Sequence, residues 1–230
     1  MGEILKRRDF ILVPAKAVSG MVLYSLVGDL IPIAAQDAVK PQETVKVPLR
    51  FFTAEEARVI QAASERIFPT DESGPGATEA GVVVYIDRQL AGPYGRDKYR
   101  YTKGPWIQSI PEHGYQGKET PQEIYHAGIK QLGGDFADIS SEQQDLRLEG
   151  IQETYFFQLL RGHTVEGVFC DPLHGGNIGM VGWRLIGFPG PVMSYRYQID
   201  KYYGKTYTAA PKSLEQILRH PVKGVEDDTE

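Results

Sequence analysis

Nowhere in this 230-residue chain do apolar and polar residues alternate cleanly over several positions, and that limits the fold more than any other feature. A half-buried strand needs period-two alternation, whereas an amphipathic helix needs apolar residues three and four apart. Only the second pattern recurs here, in runs separated by clusters drawn from 25 Gly and 15 Pro. The expectation is a mainly α, single, irregular helical domain with long ordered Gly/Pro-rich loops and no large sheet. No repeat of 20–50 residues is visible. An apolar content of 41% is enough for a core and argues against a disordered chain.

The helix boundaries carry chemical punctuation. Thr53-Ala54-Glu55-Glu56 is a capping box, in which the hydroxyl serves the third helical N–H and Glu56 reaches back. Ala57, Ile60, Ala63, Ser64 and Ile67 then share a face, and Pro69 ends the run. Asp71 to Gly76 is turn-rich. A second helix is predicted to open at Thr78 and run through Val82, Val83, Ile86 and Leu90 to the stop at Gly92-Pro93. Residues 91–118, rich in Gly, Tyr and Pro, read as a long ordered excursion. Thr120-Pro121-Gln122-Glu123 is a second capping box, with Pro at the first helical position. Ser140 to Gln143 starts another helix carrying Leu146 and Leu148. After a break near Gly150, a further run through Tyr155, Phe156, Leu159 and Leu160 is predicted to end at about His163. A last short helix lies near Ser213–Arg219.

The N-terminus reads as an address. Lys6-Arg7-Arg8-Asp9-Phe10-Ile11-Leu12 pairs two arginines, a spacer, a Phe and two aliphatics, as in a twin-arginine export signal. A mildly apolar stretch follows, with small residues at Ala34-Ala35. Pro14, Lys16 and Asp29 interrupt it, so it makes a poor spanning helix, which wants about twenty mainly apolar residues. Weak hydrophobicity suits the route for folded proteins. An N-terminal amphipathic helix with an accidental Arg-Arg, or an uncleaved leader acting as an anchor, are the alternatives. On this reading 1–35 is the leader, 36–50 a polar linker, 51–222 the helical domain and 223–230 an acidic tail.

Without residues 1–35 the chain holds 21 basic and 27 acidic residues, a formal charge of −6. Nucleic acid is therefore excluded as a partner, since phosphate binding needs a basic surface. The lone cysteine, Cys170, cannot form an internal disulfide. The pairs Glu55-Glu56 and Asp227-Asp228 read as a helix N-terminus and a solvated tail.

Chemistry-bearing residues are densest between Gly162 and Pro191. His163, Cys170, Asp171 and His174 are legitimate metal ligand types, but their spacing matches no zinc pattern and no second Cys exists. Cys170 and His174 are a nucleophile–base pair only if the loop turns them together. Gly175-Gly176-Asn177-Ile178-Gly179 lacks the preceding strand and following helix of a dinucleotide loop. No catalytic, cofactor-binding or metal-ligating residue is assigned. His163, Asp171, His174, Asn177 and Trp183 are the candidates for shaping this loop or meeting a partner; Asn and His beside glycine turns often cap backbone groups. Tyr94, Tyr99, Tyr101, Trp106, Tyr115, Tyr195, Tyr197, Tyr202, Tyr203 and Tyr207 lie mostly in irregular segments; core placement accounts for some, and a large partner surface would account for so many outside helices.

Three blocks of sequence resemble the gluconate 2-dehydrogenase subunit 3 family. They are Phe52 to Leu90, with Ile67-Phe68-Pro69-Thr70-Asp71 and Tyr85-Ile86-Asp87-Arg88-Gln89-Leu90; Gly92-Pro93-Tyr94; and Gly162-His163-Thr164-Val165-Glu166-Gly167 running on through Asp171-Pro172, His174-Gly175-Gly176-Asn177, Gly182-Trp183 and Gly187-Phe188-Pro189-Gly190. The resemblance implies a non-catalytic small subunit that binds no cofactor itself. Its companion would be an FAD-containing large subunit that oxidises a sugar, sugar acid or polyol and travels with it through the twin-arginine translocation machinery. A multihaem cytochrome c would be a possible third subunit. The implied location is the periplasm, at the inner membrane through the complex. The competing reading is a stand-alone periplasmic enzyme or a ligand- or metal-binding protein that uses the His163–Trp183 loop.

Overall fold

The computed structural model describes residues 48–107, 110–192 and 194–219. The export segment with Arg7, Arg8 and Phe10, most of the linker and the acidic tail lie outside the described residues. Those from Leu49 onward belong to one unit. They form eight α-helices and no strand. No helix among them is long and apolar enough to cross a membrane.

Helix α1 (Ala54–Ile67) starts at the Thr53 box. The Thr53 hydroxyl accepts from the Glu56 N–H at 3.2 Å, and the Glu56 carboxylate accepts from the Thr53 N–H at 2.9 Å. Helix α3 (Pro121–Leu132) starts at Thr120 with the same reciprocal pair, and α4 (Ser141–Glu149) does so at Ser140 with Gln143. Helix α2 (Val82–Ala91) begins four residues later than the Thr78 start predicted from sequence. Gly81 adopts φ +71°, and a Cβ there would lie 2.4 Å from Ile178 Cδ1. The turn at 77–81 is therefore set by a distant segment that local reading cannot see.

Helix α5 (Tyr155–Phe169) is the longest and passes six residues beyond the predicted end at His163. Thr164 does not break it, because its hydroxyl donates back to the Leu160 carbonyl at 2.7 Å. Two short helices were not predicted: α6 (Val181–Ile186) and α7 (Arg196–Lys201). Both are six residues long and start without a side-chain cap, so neither carries a local start signal. Helix α8 (Leu214–Arg219) lies where expected.

Helices α1, α2, α3 and α6 all pack on α5. Ile60 and Ile67 of α1, Ile86 and Leu90 of α2, Tyr125 and Leu132 of α3, and Phe156, Leu160 and Val168 of α5 meet in the interior. Each fully buried aliphatic contributes roughly 1.5–3 kcal/mol. Helices of this length are marginal alone, so this shared burial holds them. Arg66 of α1 adds a fork to Asp145 of α4, with both bonds at 2.7 Å. The chain entering α1 is clamped from α2: the buried Asp87 carboxylate accepts from the successive N–H groups of Arg50, Phe51 and Phe52 at 2.8–2.9 Å.

Candidate functional site

Where α5 ends, the backbone turns sharply back on itself. Asn177 sits at the centre of that turn, fully buried and at φ +47°. Its N–H donates to the Gly167 carbonyl at 2.7 Å. Its side-chain amide donates to the Cys170 carbonyl at 2.8 Å and accepts from the Gly182 N–H at 2.9 Å. One side chain therefore ties the end of α5 to the start of α6. The approach is close: a Cβ on Gly182 would lie 2.1 Å from the Val168 carbonyl oxygen. Trp183, also buried, donates its indole N–H to the Phe169 carbonyl at 2.7 Å and meets Phe188 edge to face.

Asp171 extends the same construction to the C-terminus. One carboxylate oxygen accepts from the Leu173 N–H at 3.0 Å, and the other accepts from the Leu214 N–H at 2.7 Å, which fastens α8 to the turn. Cys170 is half-buried, and its thiol donates to the Gly167 carbonyl at 3.6 Å. Burial pushes the thiol pKa up to about 11, which keeps the nucleophilic thiolate scarce at neutral pH. His174 is exposed. Among the described residues no group of three or more His, Cys, Asp or Glu is arranged to hold a metal ion.

His163 belongs to a different neighbourhood. Its ring lies inside the helical core, stacked 5.7 Å from Tyr125 and edge-on to Tyr94. Tyr125 Oη is 2.7 Å from Nδ1, and Tyr94 Oη is 2.9 Å from Nε2. Desolvation holds the imidazole pKa below its ordinary value, against the opposing pull of the Glu166 carboxylate. The ring is therefore neutral, with one donor and one acceptor nitrogen. Tyr125 is completely buried and, among the described residues, its hydroxyl bonds to His163 alone. A buried O–H without an acceptor costs about 1–3 kcal/mol. This assigns Tyr125 as donor to Nδ1 and the Nε2–H as donor to Tyr94. Tyr94 and His163 border a cleft of about 320 Å³ together with Gln89, Gln158, Gly162 and Glu166. Glu166 accepts from Tyr85 Oη at 2.9 Å.

Of the five residues singled out from sequence, Asp171, Asn177 and Trp183 come together on backbone groups at the α5–α6 junction. His163 lies deeper in the core, and His174 joins the turn through its backbone, whose N–H donates to the Asp171 carbonyl at 2.9 Å, while its side chain is exposed. Sequence reasoning missed Asp87 and Tyr125 as organising residues. A lone acid on the apolar face of α2 was the available clue to the first. Nothing local marks the second, whose partner is 38 residues away.

Residues 54–190 match the family described as Gluconate 2-dehydrogenase subunit 3, a span from the first residue of α1 to the turn after α6. No curated protein and no solved structure matches the chain.

Proposed function

This chain belongs to the gluconate 2-dehydrogenase subunit 3 family, and on that footing we propose that it is the non-catalytic small subunit of a flavin-dependent dehydrogenase acting on a sugar, sugar acid or polyol. The companion large subunit holds FAD and does the chemistry. This chain supports its folding and stability and carries the export signal for both, delivering the pair to the periplasm at the inner membrane. A multihaem cytochrome c completes the electron path where one is present.

The observation that carries this reading is the family match, which takes in six of the eight described helices. The use of the polar side chains supports it. Asn177, Asp171 and Trp183 are bonded to backbone, and both ring nitrogens of His163 are bonded to tyrosines. Groups committed in this way hold a shape. The Arg7-Arg8 leader fits a passenger that must fold and load its cofactor before crossing.

The test is co-expression of the tagged full-length chain with the large subunit, followed by capture from the periplasmic fraction. A yellow, dye-reducing complex is expected. A monomer that oxidises substrate with no companion overturns the reading. Replacing Arg7 and Arg8 together by Lys strands the complex in the cytoplasm; unchanged export would refute the leader assignment.

A further inference from the structure

The described residues between 94 and 118, on the path from α2 to α3, set exposed apolar side chains on an anchored base. Their base is fixed. Arg100 donates to Asp97 at 3.0 Å and to the Gly117 carbonyl at 2.8 Å, and its guanidinium lies over the Tyr115 ring. Tyr115 in turn stacks on Tyr155 of α5 at 4.1 Å, nearly parallel, and its hydroxyl donates to Glu119 at 2.6 Å. Beyond that base the apolar side chains face solvent: Tyr101 is 76% exposed, Trp106 44% and Ile107 67%. With Lys103 they border a concavity of about 490 Å³. A fold that anchors a loop this firmly and then leaves its Trp and Tyr in water has prepared a surface for something else.

The charge says what kind. This segment holds five Lys/Arg against two acids, a net +3, within a chain whose total is −5. Arg96, Lys98, Lys103 and Lys118 are all exposed. Aromatic and Arg-rich concavities are where binding energy concentrates in protein interfaces. We infer that the concavity bordered by Tyr101, Lys103, Trp106 and Ile107, with the exposed basic residues around it, is the docking surface for the FAD-carrying large subunit, and that it seats an acidic, apolar-centred protrusion of that protein. The inference rests on the adaptor reading above and adds to it a place and a chemistry. A second copy of this chain fits less well. A two-fold contact would set +3 against +3, and a head-to-tail contact would leave open ends. A lipid surface fits less well because the aromatics border a hollow instead of forming one insertable face.

The test captures the FAD-carrying subunit on tagged full-length chain and follows retained flavin absorbance and dissociation rate. The variants are Tyr101→Ser/Trp106→Ser and Lys98→Glu/Lys103→Glu, with Leu146→Ser on α4 as an exposed control. The aromatic pair should weaken retention by at least about 30-fold. The charge reversal should weaken it and flatten its salt dependence. The control should not change it. Capture of no flavoprotein by the unaltered chain would bring down the adaptor reading itself. Capture undiminished in both variants would overturn the docking surface and leave the adaptor reading standing. Two further outcomes also overturn the surface: self-association of the isolated chain that the aromatic variant abolishes, or binding to phosphatidylglycerol vesicles that it abolishes. If the aromatic variant fails to fold by circular dichroism, the charge reversal decides alone, since it alters only exposed side chains.

Discussion

The turn around Asn177 and the excursion at 94–118 have much the same composition, rich in Gly and Pro with Trp and polar residues, yet they do opposite things. In the first, Trp183 and Asn177 are buried and bonded to carbonyls of α5 and its end. In the second, the base is bonded while Tyr101, Trp106 and Ile107 are exposed. Composition marks both as irregular. Only the destination of each polar and aromatic group tells a closed joint from an open surface. The joint has the higher density of His, Asp, Asn and Cys, and so it draws attention as a site for chemistry. Its side chains are nevertheless committed to holding helices together.

The sharpest way to break this contrast is Asn177→Ala. It removes one buried and one partly buried hydrogen bond and leaves the Cys170 carbonyl and Gly182 N–H without that partner. It also places alanine at φ +47°. The expected loss is about 3 kcal/mol, or roughly 6–12 °C in Tm for a domain of this size. Asn177→Gly tolerates the backbone but still lacks both bonds, so it should fall between the two, about 1 kcal/mol above the alanine variant. Urea denaturation of all three measures this. A loss under about 1 kcal/mol for Asn177→Ala would mean that the joint is not closed by this side chain.

How much of this was legible depends on the range of the interaction involved. The Thr53, Thr120 and Ser140 helix starts were readable because a capping box is complete within four residues. The α2 start was not, because Gly81 is held in its left-handed turn by a segment almost a hundred positions away. The end of α5 was misread because Gly162-His163-Thr164 looks like a turn, while Thr164 is buried against Ser64 and bonded within its own helix. Asn177, Asp171 and Trp183 could be picked out by residue type beside glycines. Their partners could not, nor could the Tyr94–His163–Tyr125 chain, whose members are spread over 69 positions.

A smaller effect tests the neutral state of His163. An unfolded histidine titrates near 6.5, while burial lowers the folded pKa. Below about pH 6.5 the unfolded chain takes up a proton that the folded chain refuses. Stability from this group is therefore full above that pH and falls as pH drops toward the folded pKa. His163→Phe loses the bonds to Tyr94 and Tyr125, so it should be less stable at pH 8 by about 1–2 kcal/mol. It also loses the titration. The gap between the two proteins should then narrow from pH 8 to pH 5 in parallel urea unfolding. A gap that widens on acidification would mean that the folded ring is protonated and that Glu166 outweighs burial.

The smallest expected effect bears on the open half of the comparison. Tyr101→Ser/Ile107→Ser removes two apolar side chains that are largely in solvent already. They lie beyond the Asp97–Arg100–Tyr115 base and outside the helical core. Exposed substitutions of this kind usually stay within about 0.5 kcal/mol, so the isolated protein should melt within about 2 °C of its parent. The same value carries a second meaning. If the tip were folded against the domain in solution, the loss would approach that of two partly buried side chains, about 1.5 kcal/mol or more. The excursion would then be a second joint, and its aromatics would not be free to seat a partner. A melt that does not move leaves those side chains with no role in the fold of the isolated chain, as the docking surface requires.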